Sequence, residues 1–197
     1  MNNQKISNKL ELKDLVLIGV YAVIYLVMMF AVGMMGVVPI LFLIYPAVAA
    51  IICGPLVLLF MAKVPKPMAL AIFGLIMPVI MLLGGHTYVV IVVAAIILVI
   101  AELIRKLGNY RSLKYNMLSY AVFSMWIGGS LSQMVLAREK YLQMCKMMGD
   151  SYGPALAELI TYPNLALVFL GAFVGGLIGA LLGKKILKKH FIRAGLI

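Results

Sequence analysis

The sequence predicts an all-α polytopic membrane protein: six transmembrane helices in one compact bundle, with both termini cytoplasmic. Three observations carry this reading. Hydrophobic residues make up 65% of the 197 and charged residues only 12%, against about 25% charged in an ordinary soluble domain. The apolar residues fall into six runs, each near the ~20 residues that a helix needs to cross the hydrocarbon core. Finally, 14 of the 17 lysines and arginines lie in breaks that share one side of the membrane when the crossings are counted. That asymmetry marks cytoplasmic loops. Strands of a membrane barrel would instead alternate in hydrophobicity over about ten residues, a pattern this chain lacks.

Residues 1–13 are polar and basic and run directly into the first apolar stretch. They read as a cytoplasmic segment ahead of a retained first helix rather than a cleaved signal peptide. The transmembrane domain occupies 14–183, with spans predicted at 14–35, 38–62, 67–84, 87–104, 115–136 and 161–183. Breaks fall at Gly36–Pro39, Lys63–Lys66, Gly84-Gly85 and Gly108-Asn109, residues that favour turns. Pro46, Pro55 and Pro78 lie inside spans and predict kinks. Residues 184–197 form a basic cytoplasmic tail.

The net charge of +11 sits at the ends of apolar runs, which points to anionic lipid headgroups and away from nucleic acid. Cys53 and Cys145 offer neither metal-ligand spacing nor a ready disulfide.

Two small-residue or polar stripes predict how the bundle packs. In the last span Gly171, Gly175, Gly179 and Gly183 recur every four residues along one helix face, which either packs inside the bundle or receives a partner protein. In the fifth span Asn116, Tyr120, Ser124, Gly128 and Ser132 form a polar stripe flanked by Trp126 and Gln133, and it should face the interior. Glu102 is followed by Arg105 and Lys106, a spacing that predicts a helical ion pair at the membrane border.

One segment is foreign to this pattern. AREKYLQMCKMMGDSYGPALAELI, within 137–160, is long and of mixed charge, and the charge asymmetry places it outside. A helix over 138–148 would set Tyr141, Met144, Cys145 and Met148 on one face, either as a lid across the outer mouth or as an interfacial helix on lipid. The Gly149–Pro154 turn, with Tyr152, would return the chain to the sixth span.

Catalytic signatures are missing: the chain has no phosphate-binding loop, no H-E-x-x-H helix and no nucleophile elbow. His86 and His190 fall on opposite sides of the predicted membrane. No pair of carboxylates lies within a span, which disfavours a proton-driven pump. No enzyme, cofactor or metal is expected, and a binding protein remains. His86, Thr87 and Tyr88 in GGHTY, with Met34 and Met35 in the first outer loop, are candidate solute contacts. So are Met144, Met147 and Met148 in the excursion. Arg138 and Lys146 could meet a carboxylate on the solute.

The stretches LELKDLVLIGVYA, GGHTY, AELIRKLGNYRSLKYNMLSYAVFS and KKHFIRAG together resemble the MptD (Trep_Strep) family, from about Leu10 to Gly195. The resemblance implies an S-component-like bundle, the substrate-binding part of an energy-coupling factor importer. It further implies partners: a membrane coupling (T) subunit and two ATPase subunits that topple the bundle to release a small-molecule ligand inside. The coupling contact would use a small-xxx-small motif in the first helix. Here that place holds Gly19, Ala22 and Val23, and Val23 departs from the pattern. The resemblance implies that the outward loops and outer helix ends hold the ligand, and the residues there give the expected substrate-binding set: His86, Thr87, Tyr88, Met34, Met35, Trp126, Gln133, Arg138, Met144 and Tyr152. A vitamin-like micronutrient is the expected ligand, with a tetrapyrrole such as haem suggested by His86 and the methionines. The competing reading is a stand-alone secondary transporter acting as an oligomer.

Overall fold

A computed structural model describes residues 9–188. Most of the N-terminal segment, His190 and the end of the basic tail lie outside the described residues. Helix α1 (Leu12–Gly33) continues through a 3₁₀ turn at Met34–Val37 into α2 (Pro39–Lys63). Then come α3 (Ala69–Leu83), α4 (Val89–Leu107), α5 (Leu113–Ser124), a 3₁₀ turn at Met125–Gly128, and α6 (Gly129–Leu136). Two short helices, α7 (Arg138–Cys145) and α8 (Tyr152–Leu159), precede α9 (Tyr162–Ile186). Strands are absent among the described residues.

All six apolar runs are helical, with the fifth built from α5 and α6 in series. By length and composition, α1 with its 3₁₀ turn, α2 and α9 are able to cross a membrane. A fourth span is possible if the α5–α6 rod and α7, bent by 104°, are taken together. α3 has only 15 residues, and α4 carries Glu102, Arg105 and Lys106 near its end.

The most extensive helix contact joins α2 to α9. Its cause is the four-residue glycine repeat, which lies against Ala47, Ala50, Ile51, Gly54 and Pro55. A Cβ on Gly179 would stand 2.4 Å from the Ala50 carbonyl oxygen, and one on Gly175 would stand 2.5 Å from that of Ala47. The stripe therefore packs inside the bundle, where close backbones gain dispersion contacts that lipid cannot displace. Gly176, on the neighbouring face, receives Ala121 and Ser124 of α5. The polar stripe of α5–α6 is buried as expected: Asn116, Tyr120, Ser124 and Ser132 are each at most 2% exposed. Ser124 donates to the Ala172 carbonyl at 2.9 Å, and Tyr120 donates to that of Ala50 at 2.5 Å.

At the basic end of the bundle, charges expected at the border are instead buried. Arg105 is 0% exposed and donates to the Val64 carbonyl at 3.2 Å and to Asn116 Oδ1 at 3.3 Å. Glu102 lies 3.7 Å from the Arg105 guanidinium. Its Oε1 accepts from the backbone N–H groups of Leu70 and Ala71, at 2.9 and 3.1 Å. The expected ion pair with Arg105 is present, and the same carboxylate is also a cross-helix cap: Glu102 of α4 satisfies orphan donors at the start of α3. Lys106 is exposed. A second latch ties the α2–α3 loop to α1, where buried Lys66 pairs with Asp14 at 2.7 Å and with Glu11 at 2.9 Å. Lys13 and Lys66 hold the exposed Glu11 carboxyl down at about 2.

Substituting Gly179→Leu is expected to cost at least about 1–3 kcal/mol through overpacking, read as a lowered melting temperature in detergent. Gly19→Leu, where a Cβ would meet nothing within 4 Å, should stay within about 0.5 kcal/mol of the parent. Lys66→Met removes the ammonium that Asp14 and Glu11 share, so its melting temperature should fall below that of Lys13→Met, which removes an exposed pair.

Candidate functional site

At the end of the bundle away from the basic cluster, the chain forms a partly open cavity of about 460 Å³. Five stretches build it. The end of α1 and its 3₁₀ turn supply Met29, Met34 and Gly36, and α2 supplies Phe42 and Tyr45. The end of α3 supplies Met77 and Met81, and the following turn brings His86. The middle of the α5–α6 rod gives Trp126 and Ser130, and α7 with its flanking residues adds Tyr141, Met144, Cys145, Met148 and Tyr152. The lining is largely thioether and aromatic, a soft surface able to adapt to a solute's shape.

The excursion covers this mouth. Ala137 leaves helical geometry (φ −145°, ψ 48°), and α7 turns away from the rod. Its apolar side faces inward, with Tyr141 and Cys145 each 2% exposed. On that side the helix therefore rests on protein. Tyr152 starts α8, where the sequence predicts a turn, and its hydroxyl donates to the Gly36 carbonyl, tying this segment to the 3₁₀ turn after α1.

His86 is anchored from behind. Thr87, 1% exposed, donates its backbone N–H to Gln133 Oε1 at 2.7 Å. Gln133 Nε2 lies 2.9 Å from the Ser130 carbonyl and 3.0 Å from His86 Nδ1. The imidazole stands 6.5 Å from the ring of Tyr141, centre to centre. On the deep side, Trp126 Nε1 donates to Tyr25 Oη at 3.0 Å, and Tyr25 packs on Phe73 at 5.2 Å. Among the described residues no cluster of three or more His, Cys, Asp or Glu is arranged for a metal. Both cysteines are free.

The structure thus divides the sequence-derived set. His86, Met34, Trp126, Met144 and Tyr152 line one cavity, and Met147 and Met148 join them. Thr87 and Gln133 stand behind His86 as its supports. Met35, Tyr88 and Arg138 are not part of the lining. Tyr88 is 65% exposed and Arg138 is exposed on the outer side of α7, because the helical period that turns Tyr141 and Cys145 inward turns Arg138 out. Lys146 is exposed as well. Sequence reading missed Tyr45, Ser130 and Tyr141 as cavity polar groups. Tyr141 carried a signal, its place on the apolar face of 138–148. Tyr45 and Ser130 lie inside apolar runs, where one hydroxyl gives no hint of what it faces. On α1, Gly19 and Val23 are exposed, while Ala22 is 6% exposed and turned into the core.

Burial moves the His86 pKa below its ordinary value of 6.5. The folded protein therefore favours neutral imidazole, and the resulting stability is complete above pH 6.5 and lost as pH falls through the lowered value. The melting temperature should decline over that acid interval in the parent protein. His86→Phe should remove this part of the decline, as read by differential scanning fluorimetry across a pH series.

Comparison with known proteins identifies one family, described as hypothetical bacterial integral membrane protein (Trep_Strep), over residues 12–193. No curated protein and no solved structure matches the chain. The match spans nearly all of the sequence, and the helical, apolar architecture agrees with it. The chain belongs to the Trep_Strep family of bacterial integral membrane proteins.

Proposed function

We propose that this protein is the solute-binding S component of an energy-coupling factor importer. All six helical runs cross the plasma membrane, both termini are cytoplasmic and the cavity opens outward. One observation carries the reading: a methionine- and aromatic-lined cavity of about 460 Å³ lies at the end of the bundle that is poor in basic residues, under a short helical lid. That volume falls within the ~300–1,000 Å³ typical of small-molecule sites. Eleven described lysines and arginines lie at the far end, and only Arg138, Lys140 and Lys146 lie near the lid. This bias supports a cytoplasmic face at the basic end.

In this reading the chain captures a micronutrient, and ATP hydrolysis belongs to two separate ATPase subunits joined through a membrane coupling subunit. The outward face of α1 carries the coupling contact. Gly19 and Val23 are available there, while Ala22 is committed to the core.

The test is co-purification with the coupling and ATPase subunits, combined with uptake and cysteine labelling. Val23→Trp, an apolar but bulky change on the lipid-facing side of α1, should abolish co-purification by blocking close helix approach while leaving the isolated chain's melting temperature nearly unchanged. A single cysteine at exposed position 63, in a background lacking Cys53 and Cys145, should resist an impermeant reagent, and those at 149–151 should react. Gradient-driven uptake by the chain alone, without the other subunits, would overturn the proposal in favour of a secondary transporter.

A further inference from the structure

The hydrogen bonds behind His86 determine which proton it carries, and that constrains the solute. A backbone N–H only donates, so the Gln133 atom facing Thr87 N must be the carbonyl oxygen. The other end of the amide is then NH₂. One of its protons goes to the Ser130 carbonyl, which only accepts, and the other goes to His86 Nδ1. Nδ1 must therefore present a bare lone pair, and the single proton of the neutral ring sits on Nε2. Among the described residues nothing accepts that proton, and the ring lines the cavity.

Similar accounting applies to the neighbours. Ser130 Oγ donates to the Ile127 carbonyl at 2.8 Å, so the 2.8 Å contact between Tyr45 and Ser130 must use the Tyr45 proton. The Tyr141 hydroxyl has no hydrogen-bond partner among the described residues and belongs to a ring that lines the same space. The cavity thus offers two uncommitted donors, His86 Nε2–H and Tyr141 O–H. No Lys, Arg, Asp or Glu lines it. An ionised solute would lose its hydration without meeting an opposite charge. A wholly apolar one would leave both donors unpaired.

Resting on the receptor reading above, we propose that the cavity selects a neutral, largely apolar solute with a carbonyl-type acceptor, and that Gln133 is the positioning residue that keeps His86 a donor toward it. The same tautomer leaves Nε2 without a lone pair for iron, so His86 lends no support to a tetrapyrrole held through its metal.

The experiment uses the full chain in detergent and three probes of matched shape: 2-acetylnaphthalene, 2-methylnaphthalene and 2-naphthoate. Binding is followed through Trp126, which lines the cavity and is the chain's single tryptophan, against blanks of empty micelles. The ketone should bind at least tenfold more tightly than either of the others. His86→Phe should erase that preference, and His86→Gln, which restores an N–H donor, should recover part of it. Equal binding of all three, or preference for the carboxylate, would overturn the solute class while leaving the receptor reading standing. Binding by none of them would also overturn the solute class, while the receptor reading stands or falls separately on co-purification and uptake. Ring-nitrogen NMR of protein labelled at its two histidines, with His190→Gln for assignment, reads the tautomer without any ligand. The expected His86 form is Nε2–H, moving to Nδ1–H in Gln133→Glu. An Nδ1–H form in the parent protein would refute the role of Gln133.

Discussion

The close approach of α2 and α9 is the constraint on which the rest of this structure depends. Lipid tails are as apolar as leucine, so helices in a bilayer gain little from burying hydrocarbon against one another. They associate where backbones come near enough for dense contact, and the glycines at 54, 175, 179 and 183 allow that here. With α9 seated on α2, Gly176 presents a second surface for α5. The α5–α6 rod is then fixed between the pair and α4. Trp126 and Ser130 reach the cavity because that rod cannot slide.

Polar groups in such an interior are costly unless satisfied, and this chain concentrates them at its two ends. At the basic end, Glu102 and Arg105 join α3, α4, α5 and the α2–α3 loop through backbone groups as well as through each other. Lys66 adds a tie from the same loop to α1. The mouth end uses neutral groups instead: Gln133, His86, Ser130 and Tyr45 share hydrogen bonds without any formal charge. One end is thereby closed by ion pairs, while the other keeps donors free beside an open volume.

Seven methionines line the cavity wall: Met29, Met34, Met77, Met81, Met144, Met147 and Met148. Unbranched thioethers adjust to a guest at low cost, so shape discrimination rests mainly on the stiffer rings of Phe42, Tyr45, Trp126 and Tyr141. Phe42 and Tyr45 stack at 5.1 Å, and Trp126 is fixed by its bond to Tyr25. Helix α7 and the turn after it lie between these regimes. Tyr141 and Cys145 are seated in protein, while Met147 is 80% exposed beside Gly149, whose φ of 108° suits a residue without a Cβ.

By itself the sequence determined the helical class, the six apolar runs, the inward polar stripe of the fifth run and the glycine seam of the last. Each is written in one-dimensional periodicity, which a helix converts directly into a face. It also marked His86, Met34, Trp126, Met144 and Tyr152, because their loops or stripes were visible as such. What tertiary structure alone decided was partnership. Glu102 was legible as the ion-pair partner of Arg105 but not as the cap of α3, and Ala22 looked available to a partner but turns into the core. Gln133 looked like one more polar stripe residue but fixes the proton of a histidine 47 positions away. These contacts join segments far apart in the chain, and hydrogen-bond geometry over such separations has no signature in spacing.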